Sequence, residues 1–392
     1  MKIASVFQPA LRTWSGALVL AGVLALSATA CKKAQPPVAE GDVIKLGEVG
    51  SMTGSEATFG ISTHRGIEMA IEQANAAGGV KGKKLALVSM DDQGKPEEAA
   101  TAVTKLITQD QVTAILGEVA SGRSMAMAPI AQQYKIPMVT PSSTNPKVTE
   151  FGDHIFRVCF IDPFQGTVMA KFASENLKIK KVAILRDVKN DYSVGLANFF
   201  AETFQKLGGE IVLDQSYSSG DMDFKSQLTA IRSKSPEAIF VPGYYTEVGL
   251  IGRQARELGL KVPLMGGDGW DSPKLHEIGG EALNGSFFSN HYSQEDQSPQ
   301  VQTFITTFKA KHGTTPDGLA AMGYDGARVL IEAMGRAKSL SSADIREALA
   351  QTKDFLGVTG KITIDEKRNA VKSAVVVKVD GADFKYQTTV NP

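Results

Sequence analysis

Cysteine is almost missing from this chain. Its 392 residues hold only Cys31 and Cys159, too few for a disulfide framework. Charge excess is missing as well: 42 Lys and Arg stand against 42 Asp and Glu, so nothing favours nucleic acid or an anionic membrane surface as partner. The five histidines, His64, His154, His276, His291 and His312, are scattered without metal-ligand spacing. No G-x-S-x-G, H-E-x-x-H or C-x-x-C occurs, and the P-loop pattern is absent. The first strand runs into SMTG and lacks a G-x-G-x-x-G. An enzyme is therefore unsupported, and neither a cofactor nor a metal is expected. Apolar residues at 43% and charged residues at 21% are ordinary globular values, so disorder is not indicated.

Long apolar runs are also lacking. The N-terminal run over residues 16–26 is too short to span a bilayer, which takes about 20 residues. It follows Lys2 and Arg12 and precedes Ser27-Ala28-Thr29-Ala30-Cys31, the layout of a secretory signal peptide over residues 1–30. Cys31 directly after small residues resembles a bacterial lipoprotein signal, in which the cysteine is acylated and becomes the mature N-terminus. Ala28 stands where that pattern prefers Leu, and plain cleavage near Ala30 is the alternative. Residues 31–41, with Pro36 and Pro37, read as a tether. The expected location is the periplasm or cell surface, anchored through an N-terminal lipid. Cys159, in the apolar run 156–160, is expected to be a buried, inert thiol.

What is present is a repeated alternation of strand and helix. Strands are expected at 44–49, 84–90, 113–116 and 137–139, with helices at 64–76, 96–108 and 124–134 between them. The order then recurs: strands at 181–185, 210–217, 238–242 and 263–266, helices at 193–207, 224–234 and 247–258. These are two copies of one doubly wound α/β unit. Helices at 299–312, 318–338 and 342–351 follow, then strands at 360–365 and 374–379 and a turn at Asp380-Gly381.

Parallel sheets bind ligands at the carboxyl ends of their strands. Two such ends carry hydroxyl residues: Ser121 after one strand, and Ser142, Ser143 and Thr144 after the next. With loop N–H groups they suit a carboxylate. The same residue types also cap helices and make turns, but two clusters at successive strand ends favour binding. Asp268 sits in MGGDGWDS after an apolar strand. Its carboxylate suits an ammonium partner and equally suits a loop or cap. Trp270 and Tyr245 are candidate pocket walls or ordinary packing, and Tyr192 either closes over a ligand or covers a helix start.

In order along the chain come GEVGSMTGSEATFG, GIEMAIEQANAAGGVKGKKL, DDQGKPEEAATAVTKLI, GEVASGRSMAMAPIA, IPMVTPSSTNP and FRVCFIDPFQG, then GYYTEVGLIGRQARELGLKVPLMGGDGWDS and AAMGYDGARVLIEAM. Together they resemble the substrate-binding proteins of bacterial branched-chain amino-acid ABC transporters, the leucine/isoleucine/valine-binding type. The resemblance implies the type I periplasmic-binding fold: two doubly wound parallel-sheet lobes joined by three hinge crossovers, near 156–160, 287–289 and 363–365. The first lobe would take residues 42–158 plus 289–364, and the second 159–288 plus 365–392.

The same resemblance implies roles. Ser121 falls on the carboxylate-binding serine. Ser142, Ser143 and Thr144 fall on the segment that meets the α-carboxylate and ammonium. Phe59 is implied as a pocket wall, Tyr192 and Tyr245 as aromatics of the second lobe, and Asp268 as the acid that pairs with the α-ammonium. Departures are an Asp where the leucine-type proteins have Glu, the bulky Trp270 beside it, and Ala120 where some relatives have a half-disulfide cysteine. The implied function is a monomeric solute-binding protein. It would close on an α-amino acid, branched-chain or otherwise apolar, and deliver it to an ABC permease in the membrane. The alternative is an exported sensor of the same fold, signalling to a receptor, with an aromatic acid or amide as ligand.

Overall fold

A computed structural model describes residues 43–392. The signal over 1–30 and the tether over 31–41 with Cys31 lie outside the described residues. The chain begins with β1 (Val43–Gly50), α1 (Ala57–Ala76), β2 (Lys84–Asp91), α2 (Pro96–Thr108), β3 (Ala114–Leu116), α3 (Ser121–Gln133), β4 (Met138–Thr140) and β5 (Ile155–Arg157). These strands form a parallel sheet in the order β2-β1-β3-β4-β5. β1, paired on both sides, is largely buried, whereas β2, at the edge, alternates towards solvent. α2 begins with Pro96, carries Glu97 and Glu98 in its first turn and Lys105 in its last, in accord with the helix dipole.

A second unit follows: α4 (Asp162–Lys171), β6 (Lys181–Asp187), α5 (Asp191–Lys206), β7 (Glu210–Tyr217), α6 (Lys225–Ser233), β8 (Ala238–Phe240), α7 (Tyr245–Glu257), β9 (Leu264–Gly266), α8 (Lys274–Gly279) and β10 (Phe287–Asn290). Next come α9 (Pro299–His312), α10 (Gly318–Arg336) and α11 (Ser342–Ala350), then β11 (Phe355–Gly357), β12 (Gly360–Ile364), β13 (Ala370–Val371), β14 (Ala374–Asp380) and β15 (Asp383–Val390). The second sheet has the order β15-β14-β10-β9-β8-β6-β7. It is parallel from β7 to β10 and antiparallel at β14 and β15. Two α/β lobes result, each doubly wound around a mainly parallel sheet.

Among the described residues the chain passes between the two sheets at three places. The first lies between β5 and α4. The second follows β10, after which α10 packs back on α1. That contact is close because glycines face it: a Cβ on Gly66 would lie 2.0 Å from the Ala320 carbonyl oxygen, and one on Gly323 2.4 Å from that of Thr63. The third lies at Lys372 and Ser373, later than the expected 363–365. β12 does not leave the first lobe there. It pairs with β11 and β13 in a small antiparallel sheet, whose Phe355, Ile362 and Ala370 share a core with Ile44 and Leu46 of β1. The β14–β15 hairpin turns on Gly381, whose φ of 59° suits glycine.

Four helices start earlier than the apolar pattern indicates, α5 and α7 by two residues and α1 and α3 by more. α1 begins at Ala57 instead of 64, which makes Phe59 a helix residue. α3 begins at Ser121, which puts that serine in its first turn. Cys159 is buried and unpaired, and burial pushes its thiol up to about 12, an inert state.

Candidate functional site

The carboxyl ends of β3 and β4 in one sheet and of β6, β8 and β9 in the other face a common cavity. From the first lobe it is lined by Phe59, Val119, Ser121, Ser142 and Leu319. Tyr192, Tyr244, Asp268 and Gly269 line it from the second. The cavity is small, about 10 Å³, close to the room one water needs.

Ser121 opens α3, so the N–H groups of that first turn have no partner within the helix and their dipole favours an anion. Its Oγ accepts from the Asn145 N–H at 3.1 Å, which ties the β3 and β4 loops together. Ser142 Oγ reaches across to Asp268 Oδ2 at 3.4 Å. Ser143 is spoken for: its hydroxyl meets Ser124 Oγ at 2.7 Å and the carbonyls of Glu118 and Val119 at 2.9 Å. Thr144 is buried behind the cavity with its hydroxyl beside Asp162, without a hydrogen bond of normal geometry. Neither Ser143 nor Thr144 lines the cavity.

Asp268 sits in a short turn directly after β9. Its Oδ1 accepts from Tyr192 Oη at 3.0 Å, and its Oδ2 lies 2.9 Å from His291 Nε2. Tyr192 Oη also accepts from the Gly269 N–H at 3.2 Å, and the Asp268 N–H donates to Gln165 Oε1 at 2.9 Å. Burial and then the Asp268 charge hold the Tyr192 phenol well above its ordinary value, so it remains a donor.

The remaining expected aromatics divide. Phe59 contacts both Tyr244 and Tyr245 edge-on, with ring centroids 5.2 Å apart. Tyr244, which caps α7, supplies the cavity wall that was expected of its neighbour. Tyr245 instead bridges the lobes, donating to the Ser55 carbonyl at 2.9 Å. Trp270 is a correction to the expected pocket wall. Its ring is fully buried in the second lobe, its Nε1–H donates to the Val241 carbonyl at 2.9 Å, and Gly266 makes room for it.

Several contributors went unforeseen. His291 and Gln165 hold Asp268; Gln165 lies in the FRVCFIDPFQG motif, to which no site role was given, and His291 lies in none of the motifs. Adjacent parallel strands β9 and β10 end side by side, and that register was the available signal for His291. Arg123 forms a buried cluster, with Nε 3.0 Å from Glu118 Oε2 and Nη1 3.1 Å from Glu56 Oε2. Burial and the Glu118 charge push nearby Asp92 up to about 7. This cluster pins the loop that carries Ser121. Its outer side lines a hollow of about 340 Å³ at the cleft mouth, separated from the cavity by Tyr244.

Further contacts bridge the lobes: Thr58 Oγ1 to Ser272 Oγ at 2.8 Å, Thr246 Oγ1 to the Ser55 carbonyl at 2.8 Å, and Asn145 Nδ2 to the Asp191 carbonyl at 2.9 Å. Anything larger than a water reaches the cavity only when these part. Among the described residues no helix is long and apolar enough to cross a membrane.

The site and fold can be set beside known proteins. The family described as periplasmic binding protein matches residues 43–384. The Leu/Ile/Val-binding protein homolog 3 of Brucella melitensis is 32% identical over 82% of this chain and 87% of its own length. Among solved structures, a leucine-binding protein from Thermotoga maritima is 43% identical, covers 89% of this chain and 99% of its own, and superposes with a TM-score of 0.86. A branched-chain amino acid transporter substrate-binding protein from Streptococcus pneumoniae, in complex with isoleucine, is 35% identical and covers 89% of this chain and 100% of its own, with a TM-score of 0.85. With two lobes of this topology and a match along nearly all of the described residues, the chain belongs to the periplasmic binding protein family.

Proposed function

We propose that this protein is the solute-binding component of an ABC importer and captures an α-amino acid, branched-chain or otherwise apolar, between its lobes. The observation that carries the reading is the pairing across the cavity. Ser121, at the start of α3, and Ser142, in the loop after β4, face the Asp268 carboxylate on the other lobe. An anion acceptor opposite a cation acceptor suits a zwitterion, and Phe59, Val119 and Leu319 beside them suit an apolar side chain. The leucine-binding relative and the isoleucine complex support the same ligand class.

The first lobe meets the carboxylate through Ser121 and Ser142, with Ser143 and Thr144 shaping the segment behind them. Asp268 on the second lobe meets the ammonium, backed by Tyr192. A zwitterion contacts both lobes only when they close, so it stabilises the closed state by that difference in contacts. In this reading the first lobe takes residues 43–157 plus 291–371 and the second 162–290 plus 374–392, with the passages between them. The protein acts as a monomer, held outside the membrane by a lipid on Cys31, and hands its ligand to a permease.

Calorimetric titration with leucine, isoleucine, valine and benzoate tests the ligand class. Saturable binding of at least one of the three amino acids, and none of benzoate, is expected. Binding of benzoate alone would overturn the reading.

A further inference from the structure

The buried histidine behind the clamp has no part in the function so far described. His291 is the first residue after β10, and Asp268 lies just beyond the end of β9, its parallel neighbour. The strand register therefore brings the two side by side, and His291 Nε2 lies 2.9 Å from Asp268 Oδ2. The ring is held from two sides, by Asp268 and by Phe160. It stacks on Phe160, with centroids 3.9 Å apart and planes 26° apart, and Phe160 lies on the first passage between the sheets. The backbone N–H of His291 donates to Asn290 Oδ1 at 2.7 Å, which fixes the main chain beneath the ring, and Asn290 Nδ2 donates in turn to Asp271. Nδ1 is buried and has no hydrogen-bond partner.

These contacts determine the state of the ring. A carboxylate offers only acceptors, so Nε2 carries the proton and Nδ1 is bare. Burial disfavours a second proton, and although Asp268 opposes this, the buried Lys372 adds to it. The ring is thus neutral. A neutral donor fixes one oxygen of Asp268 without cancelling its charge, whereas a cation in the same place would compete with a ligand's ammonium.

We propose that His291 is a positioning residue for ligand recognition: its Nε2–H orients the short Asp268 carboxylate towards the ammonium group of an α-amino acid. Aspartate is one methylene shorter than glutamate and has few rotamers, so a fixed donor behind Oδ2 decides how that oxygen presents its free side to the cavity. Tyr192 holds Oδ1 and His291 holds Oδ2 on the inner side. Ser142, also at Oδ2, occupies the side that faces the cavity, where an ammonium would take its place. The inference rests on the amino-acid reading above for its ligand, but not for its geometry.

The experiment compares His291→Phe, which keeps the stack on Phe160, with His291→Gln, which keeps an N–H donor. Probes are leucine and 4-methylpentanoate, the same molecule without its ammonium. His291→Phe is expected to weaken leucine about 10- to 100-fold, as loss of a hydrogen bond to a charged group implies. Affinity for 4-methylpentanoate should stay within about threefold, and His291→Gln should recover most of the leucine loss. Equal losses for both probes, or an unchanged leucine affinity in His291→Phe, would overturn the proposal. A ligand-free reading stands beside it: imidazole ¹⁵N shifts should show Nε2 protonated and Nδ1 bare between pH 6 and 8. A protonated Nδ1 with a bare Nε2 would refute it. If the wild-type protein binds no amino acid, the functional reading fails, and the tautomer still decides the placement of His291.

Discussion

Ser142 Oγ lies 3.4 Å from Asp268 Oδ2, so the loop ends of β4 and β9, in different sheets, touch at the centre of the molecule. The contact is long for a hydroxyl–carboxylate hydrogen bond and is readily exchanged for a better partner. Under the proposed function Asp268 would then have two duties: to close the lobes and to accept from a ligand.

Asp268→Ala should therefore abolish leucine binding, by 100-fold or more, while leaving the fold intact. Removing the acceptor leaves an ammonium buried without a counter-charge, which costs several kcal/mol. Circular dichroism and a melting temperature within a few degrees of wild type would establish that the fold survives. Unchanged calorimetric affinity would sink the clamp.

Tyr245 belongs to the closing contacts and not to the cavity. Its hydroxyl donates to the Ser55 carbonyl at 2.9 Å and lies 3.4 Å from the Thr58 N–H. Tyr245→Phe keeps the edge-on contact with Phe59 and removes both links, so it should weaken the closed state by about 0.5–1.5 kcal/mol. The expected outcome is a threefold to tenfold lower affinity for every ligand alike, with dissociation faster and association unchanged. A change in preference between leucine and valine would return Tyr245 to the pocket wall.

The alternation of apolar strands and amphipathic helices made the doubly wound class legible, because burial on both faces leaves continuous apolar runs such as β3 and β8. Ser121 and Asp268 were legible because strand ends are where such sheets bind ligands. What was not legible depends on side-chain direction. Ser142 and Ser143 are neighbours, yet only the first lines the cavity, since the backbone turns the second inward to Ser124 and Glu118. Tyr244 and Tyr245 differ in the same way, because α7 begins between them. His291 is brought in by pairing of β9 and β10 across more than twenty residues of chain, and no local pattern carries that information.

A pH dependence of stability follows from Asp162. Burial pushes its carboxyl up from 3.8 to about 7; the Thr144 hydroxyl and the Arg157 charge oppose the rise, and the charge of Asp268 adds to it. The folded state then keeps a proton that the unfolded chain releases between pH 4 and 7. This contribution is fully present below about pH 4 and is lost as pH rises through 7. Asp92 and Asp271, also raised to about 7, act in the same sense. The melting temperature should fall from pH 5.5 to pH 8, and Asp162→Asn should flatten part of that slope. A wild-type melting temperature that rises over this range would contradict the assignment.

Trp270 offers the sharpest test of where the second lobe's core ends and its binding surface begins. Its sequence position beside Asp268 invites a role in ligand choice, but its ring points away from the cavity. It is fully buried and lies 5.8 Å from Phe288, centroid to centroid. A Cβ added at Gly266 would fall 2.2 Å from the indole, so the ring occupies space that only glycine leaves. Trp270→Ala should cost about 3–5 kcal/mol by opening a cavity under the Asp268 turn and removing one of the two donors to the Val241 carbonyl. Trp270→Phe fills most of that space and should cost less, through the lost hydrogen bond and a smaller void. For that variant, denaturant unfolding should show the stability loss, while the affinity ratio of leucine to valine stays as in wild type. If the ratio shifts with little loss of stability, Trp270 reads the ligand after all, and the wall of the pocket lies deeper than the cavity between Ser121 and Asp268.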